Sequence, residues 1–478
     1  MSNLNVSHAL TPQTRATLAR DFTWGVATSA YQIEGAAATD GRGPSIWDTF
    51  SHTPGKTVRG ETGDVACDHY HRWPEDVALM AGLGVDAYRF SISWSRVQPL
   101  GHGAWNEAGL AFYDRLVDGL LERGIRPSAT LYHWDLPQGL QDLGGWAAHD
   151  TALRFADYAA HVGRRLGDRL ATISTHNEPW CTATLGHAWG KFAPGFTDEA
   201  LAADVSHHLL LSHGLALQAM RAAGTRAPLG IVLNQSSTTA ATDSAADQAR
   251  AATEYASFVR WYMEPILLGG YPQDAGIAHY PRNVRPGDFA IIGQPLDFLG
   301  INYYTRIWAS AAQPPVPAPC ALGVTDMGWE IHPEGLTELL TGLHRRYPGL
   351  PPIYLMENGM ANADTLVDGQ VADDRRIDYI RRHVEAIARA REAGVDIRGF
   401  YYWSLLDNYE WDSGYDKRFG IVHVDYATQR RTLKDSALWY RDAIASTRAE
   451  GIARQGAEGI ARQGDEGIAH QGGEAGHG

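Results

Sequence analysis

The chain has 478 residues, 44% of them apolar and 20% charged, the balance of a protein that buries a large core. Its formal net charge of −14 gives nothing to counterion release on nucleic acid, and no basic amphipathic stretch marks an anionic membrane surface. A run of about 18 apolar residues, which a bilayer span needs, is absent, and the first twenty residues lack the apolar stretch of a signal peptide, so a cytoplasmic location is expected.

From the N-terminus, short apolar runs alternate with longer segments of helical periodicity. The runs cover 22–27, 87–94, 127–134, 170–177, 229–234, 298–304, 353–357 and 398–405. They are rich in apolar residues without strict alternation, as strands of a parallel sheet covered on both faces are. Between them, 107–123 carries Leu110, Tyr113, Leu116, Val117 and Leu120 at helical spacing and ends at Gly124. A second helix is predicted over 150–166 with Asp150 as its N-cap, and a third over 373–391, stopping at Gly394. Repeated strand–helix units predict an α/β fold, and about eight of them favour a closed (β/α)8 TIM barrel over an open sheet. From Glu450 the chain reads EGIARQGA, EGIARQGD, EGIAHQGG. This repeat is too polar and glycine-rich to bury a core, so the barrel is expected over 15–446 and a disordered tail over 447–478.

The three cysteines, Cys67, Cys181 and Cys320, are odd in number and widely spaced, which argues against a disulfide framework or a zinc site. His69 and His71 form an H-x-H pair with no carboxylate-rich set beside it, and both are expected in a loop. No metal and no organic cofactor is called for.

Two segments put a glutamate at the end of an apolar run: Thr175-His176-Asn177-Glu178-Pro179 and Leu355-Met356-Glu357-Asn358-Gly359. In a barrel, catalytic groups gather at the C-terminal ends of strands. Cleaving a glycoside takes an acid to protonate the departing oxygen and a second carboxylate on the other side of the sugar. Either motif alone is commonly a strand end or a turn; in order, each after its own strand, they are far more specific.

From about Asp21 to about Ser446 the chain resembles glycoside hydrolase family one, the β-glucosidase family. The resemblance is carried by FTWGVATSAYQIEGA, YRFSISWSR, TLYHWDLPQGL, THNEPW, FLGINYYT, DMGWEIHP, YLMENG and WSLLDNYEW in that order. It implies a (β/α)8 barrel acting with retention, with Glu178 as acid/base and Glu357 as nucleophile. Retention calls for carboxyl groups about 5–5.5 Å apart. It also implies Arg89 and Tyr304 as supports of the nucleophile, and Gln32, His133, Trp134, Asn177, Asn302, Tyr304, Trp403, Glu410 and Trp411 as sugar contacts. Trp329 is the implied platform for the leaving group, and Trp146, Phe192 and Phe419 are candidate walls. The family most often has Thr before the nucleophile. Met356 stands there instead, and strand alternation turns it away from Glu357. The expected substrates are small β-glucosides, with side activity on β-galactosides or β-fucosides. A 6-phospho-β-glucosidase is the alternative enzyme, which Glu410 disfavours by repelling a dianion. A non-catalytic carbohydrate-binding barrel is the alternative outside catalysis, but such proteins typically lose one of the two carboxylates.

Overall fold

A computed structural model describes residues 8–274 and 276–471, with the backbone alone for 456–471. Among these residues eight parallel strands close into a barrel in sequence order. They are β1 (Thr23–Ala27), β2 (Ala87–Ser91), β3 (Arg126–Tyr132), β4 (Thr172–Asn177), β5 (Leu229–Asn234), β6 (Phe298–Asn302), β7 (Ile353–Asn358) and β8 (Ile397–Trp403). Several are shorter than the apolar runs that predict them. The excess residues at the C-terminal ends, such as His133, Trp134 and Tyr304, turn off the sheet to form the mouth.

Helices cover the outer face, and the main core lies between them and the strands. A smaller cluster fills the barrel floor with Ala27, Ala87, Val232, Phe298, Met356 and Tyr401. The helix predicted from residue 107 runs Glu107–Leu121, and Gly124 takes the left-handed φ of 71° that its C-terminal turn requires. The helix predicted from Asp150 begins at His149. Ala148 is its N-cap, and Asp150 lies in the first turn, bonded to Arg154 (2.6 Å). Asp150 therefore complements the helix dipole and does not cap. The third helix runs Asp374–Glu392, and Gly394 again has positive φ, 93°.

The closing helix Asp435–Gln471 crosses the boundary placed at Ser446. Thr447 is buried and bonds the carbonyl of Ala443 (2.8 Å), and Arg448 reaches Asp86 and the carbonyl of Gly84. A Cβ on Gly451 would lie 2.7 Å from the carbonyl oxygen of Ala19, so the helix packs closely there. The repeat reads as glycine-rich, but its first residues continue a helix already held by Trp439, Tyr440 and Ile444 in the core. The expected tail from 472 on lies outside the described residues. Truncation after Ser446 is therefore expected to lower the unfolding midpoint by about 2–4 °C while leaving kcat/KM unchanged. Truncation after residue 455 is expected to change neither, and scanning calorimetry with an activity assay on both truncated chains checks this.

Candidate active site

Glu178 is the first residue beyond β4. Its φ of 49° is left-handed, a conformation costly for a residue with a Cβ. Its backbone N–H donates to the carbonyl of Val232 on β5 (2.9 Å), which fixes the turn. Glu357 sits within β7, where its carbonyl accepts from the N–H of Tyr303 (3.0 Å). Register shifts interrupt the ladder at these ends, between Ser174 and Asn177 and between Ile301 and Asn302. Such bulges re-aim side chains at a barrel rim. The glycine of the E-N-G segment has a steric reason: a Cβ on Gly359 would sit 1.7 Å from the carbonyl oxygen of Trp403.

The two glutamates are supported differently. Glu357 is paired through one oxygen with the Arg89 guanidinium, and its other oxygen accepts from the Tyr304 hydroxyl (2.7 Å). Arg89 is itself held by Thr130 (3.0 Å) and Asn177 (2.7 Å). Among the described residues no cation is bonded to Glu178. Its oxygens accept from Asn302 Nδ2 (2.6 Å) and the Cys181 thiol (3.1 Å). Burial, and then the charge of Glu357, push Glu178 up to about 7. Burial also raises Glu357, but Arg89, Tyr304 and Asn302 pull against it. Two carboxyl groups share one desolvated site, and only one of them has a fixed cation, the usual way of separating an acid from an anion.

Above them opens a cavity of about 360 Å³. Of the residues singled out in the sequence, His133, Trp134, Glu178, Asn302, Tyr304, Trp329, Glu357, Trp403, Glu410 and Trp411 line it, as do Phe192 and Phe419. Arg89, Asn177 and Gln32 are buried beside it. The amide of Asn177 lies 3.2 Å from His133 Nε2, and Gln32 Nε2 donates to Glu410 (3.3 Å) and to the carbonyl of Tyr409 (2.9 Å). The walls are aromatic: His133 stacks on Trp403 at 5.6 Å, Trp134 meets Trp411 at 4.7 Å, and Tyr304 meets Trp329 at 5.4 Å. Burial and Arg89 hold His133 well below the usual imidazole range, so it is neutral and offers the cavity a hydrogen bond without a charge.

Four expectations change. Trp146 does not wall the cavity; it is buried behind β3 and β4, against Tyr132 (5.2 Å) and His176 (5.4 Å). His69 and His71 open the helix His69–Leu83 instead of lying in a loop. His69 is buried on Asp76 and His71 is exposed beside Asp68, so the pair diverges. Among the described residues no group of three His, Cys, Asp or Glu is placed to hold a metal ion. Met356 does not turn out of the barrel: the shift between Ile301 and Asn302 breaks the alternation, and Met356 packs in the floor with Val232 and Phe298. Burial and the nearby carboxylates push Glu410 up to about 8, which weakens the repulsion expected of it. What disfavours a phosphate is the scarcity of cations. Lys191 is the one Lys or Arg among the described lining residues, and it pairs with Asp412 (3.7 Å). Sequence reasoning missed Cys181, whose signal is its place one helical turn after Glu178.

A parallel eight-stranded barrel with two unequally supported glutamates at its aromatic-walled mouth defines a glycoside-cleaving enzyme. Residues 14–449 match the model of Glycosyl hydrolase family 1. Beta-glucosidase A of Acetivibrio thermocellus is 46% identical over 442 residues, 90% of this chain and 98% of that protein. A bifunctional beta-D-glucosidase/beta-D-fucosidase of Bifidobacterium breve is also 46% identical, covering 90% of this chain and 98% of its own. The solved family 1 β-glucosidase from Thermotoga maritima superposes with a TM-score of 0.85 at 42% identity, covering 90% of this chain and 98% of that one. The chain belongs to glycosyl hydrolase family 1.

Proposed function

We propose that this protein is a retaining β-glucosidase that removes terminal β-D-glucosyl residues from oligosaccharides and from aryl or alkyl glucosides. The observation that carries the reading is the unequal support of Glu178 and Glu357 within one buried site. Glu178, neutral in part at pH 7, gives its proton to the glycosidic oxygen as the bond to the anomeric carbon breaks. Glu357, held as an anion by Arg89 and Tyr304, attacks that carbon from the opposite face and forms a glycosyl ester. The aglycone alcohol leaves. Glu178, now a carboxylate, takes a proton from water, and the oxygen of that water displaces Glu357 to release β-glucose. Asn177 is the contact for the 2-hydroxyl. Gln32, His133 and Glu410 meet the other hydroxyls, Trp403 and Trp411 pack on the ring, and Trp329 faces the leaving group. The fucosidase activity named for the Bifidobacterium breve relative supports a side activity on β-fucosides. Among the described residues no helix is long and apolar enough to cross a membrane, and we place the reaction in the cytoplasm.

The test is turnover of an aryl β-glucoside, with kcat/KM for cellobiose, whose poor leaving group needs the proton, followed across pH. Activity needs Glu178 protonated, so kcat/KM should fall as pH rises through about 7. It also needs Glu357 ionised, so it should fall again in acid. The limbs belong to the coupled pair, with Glu410 titrating nearby. A profile flat through both ranges, or no turnover of any aryl glycoside, overturns the reading.

A further inference from the structure

We infer that Cys181 is a positioning residue that selects which oxygen of Glu178 carries the catalytic proton and how readily that proton is released; the inference rests on the acid/base reading of Glu178. Cys181 starts a π-helical segment, Cys181–Ala188, and its N–H donates to the carbonyl of Glu178 (2.9 Å). That bond closes a tight three-residue turn at the start of the segment, which returns the side chain toward the acid, with Sγ 3.1 Å from Glu178 Oε2. The thiol is buried and lines the catalytic cavity, and Asn234 Nδ2 approaches its sulfur at 3.8 Å from β5.

The other oxygen, Oε1, accepts from Asn302 Nδ2. An amide nitrogen can only donate, so Oε1 is the acceptor in both ionisation states and the proton belongs on Oε2. The partner of Oε2 must therefore accept when the acid is protonated and donate when it is ionised. A thiol does both; an alanine does neither. Burial and the adjacent carboxylate push the thiol well above its ordinary range, so it stays S–H and adds no charge. As a weak partner it orients Oε2 without holding the proton away from a glycosidic oxygen. The other charged or titratable groups coupled to Glu178 are Glu357 on β7, Arg89 on β2, and Tyr304 and Glu410 at the rim; Lys191 acts on Cys181. None of them changes in a Cys181 variant.

The experiment measures kcat/KM against pH for Cys181→Ala and Cys181→Ser, on cellobiose and on dinitrophenyl β-glucoside, with the unfolding midpoint of each variant. Loss of the donor destabilises the Glu178 carboxylate, so Cys181→Ala should move the alkaline limb up by about 0.5 pH unit. Cellobiose cleavage should fall about fivefold, while the activated phenol changes less than about twofold, since only a poor leaving group needs the proton. Cys181→Ser, a stronger donor, should move the limb down and recover most of the cellobiose activity. If the alanine variant does not fold, the direction of the serine shift decides. An unmoved limb in the folded variants, or equal losses on both substrates, overturns the role of Cys181. Glu178→Gln separates the two readings. An alkaline limb that survives in that variant sinks the acid/base role of Glu178 itself. A limb lost there but unmoved in the Cys181 variants sinks only the positioning role.

Discussion

Glu178→Gln is expected to cut kcat/KM for cellobiose by about 10²–10⁴-fold while leaving kcat/KM for dinitrophenyl β-glucoside nearly unchanged. The amide keeps the shape of the side chain and can still accept from Asn302, whose Nδ2 now lies 2.6 Å from Oε1. What it lacks is the proton that burial and Glu357 retain on the acid up to about pH 7. A sugar alkoxide is a poor leaving group and needs that proton in the transition state; a dinitrophenolate does not. Because kcat/KM covers only the steps up to formation of the glycosyl-enzyme, the activated substrate hides the loss there. It reappears in kcat, because the same residue must deprotonate the incoming water. Stopped-flow assays should therefore show a burst of dinitrophenol followed by slow turnover. Equal losses in kcat/KM on the two substrates would assign Glu178 a purely structural part.

The barrel and the two glutamates were legible because both depend on local pattern. Apolar-rich runs without strict alternation are what two-sided burial demands, and β1 through β8 fall within or beside the predicted runs. Glu178 and Glu357 were legible through the order of short motifs around them. The departures have a common cause, which is geometry set by neighbouring chain segments. Period-two alternation puts Met356 and Glu357 on opposite faces, but pairing with β6 inserts a register shift and sends both inward. The composition of Trp146 suits a wall or a core equally, and its packing on Tyr132 and His176 decides for the core. The charge on Glu410 depends on burial, on its chain neighbour Asp412, and on Glu357 and Glu178, two groups brought to it only by the fold. The helix past Ser446 shows the same limit. Gly451 lowers helix propensity, but the close approach of Ala19 favours a residue without a side chain there.

Glu357→Gly is expected to lower hydrolysis by on the order of 10⁵-fold or more, since a positioned nucleophile is worth an effective molarity of at least about 10⁵ M. Among the described residues no other carboxylate is paired with Arg89: burial raises Glu410, and Glu178 is committed to the leaving group. The deletion leaves a small cavity beside the Arg89 guanidinium and the Tyr304 hydroxyl, both of which lose an anionic partner. Arg89 keeps Asn177, Thr130 and the carbonyl of Met356, so its cation stays in position facing the gap. A desolvated cation beside an empty space is a site for a small anion. Azide or formate should therefore bind where the carboxylate was and restore release of dinitrophenol in proportion to its concentration. The anion attacks from the side of Glu357 and no second displacement follows, so the azide product should be α-glucosyl azide. The unaltered enzyme passes through two displacements and should release β-glucose first, as NMR of the anomeric proton in the first minutes would show. Rescue yielding β-glucosyl azide would mean attack from the opposite face. An α first product from the unaltered enzyme would mean a single displacement by water. Either result would take the nucleophilic role from Glu357.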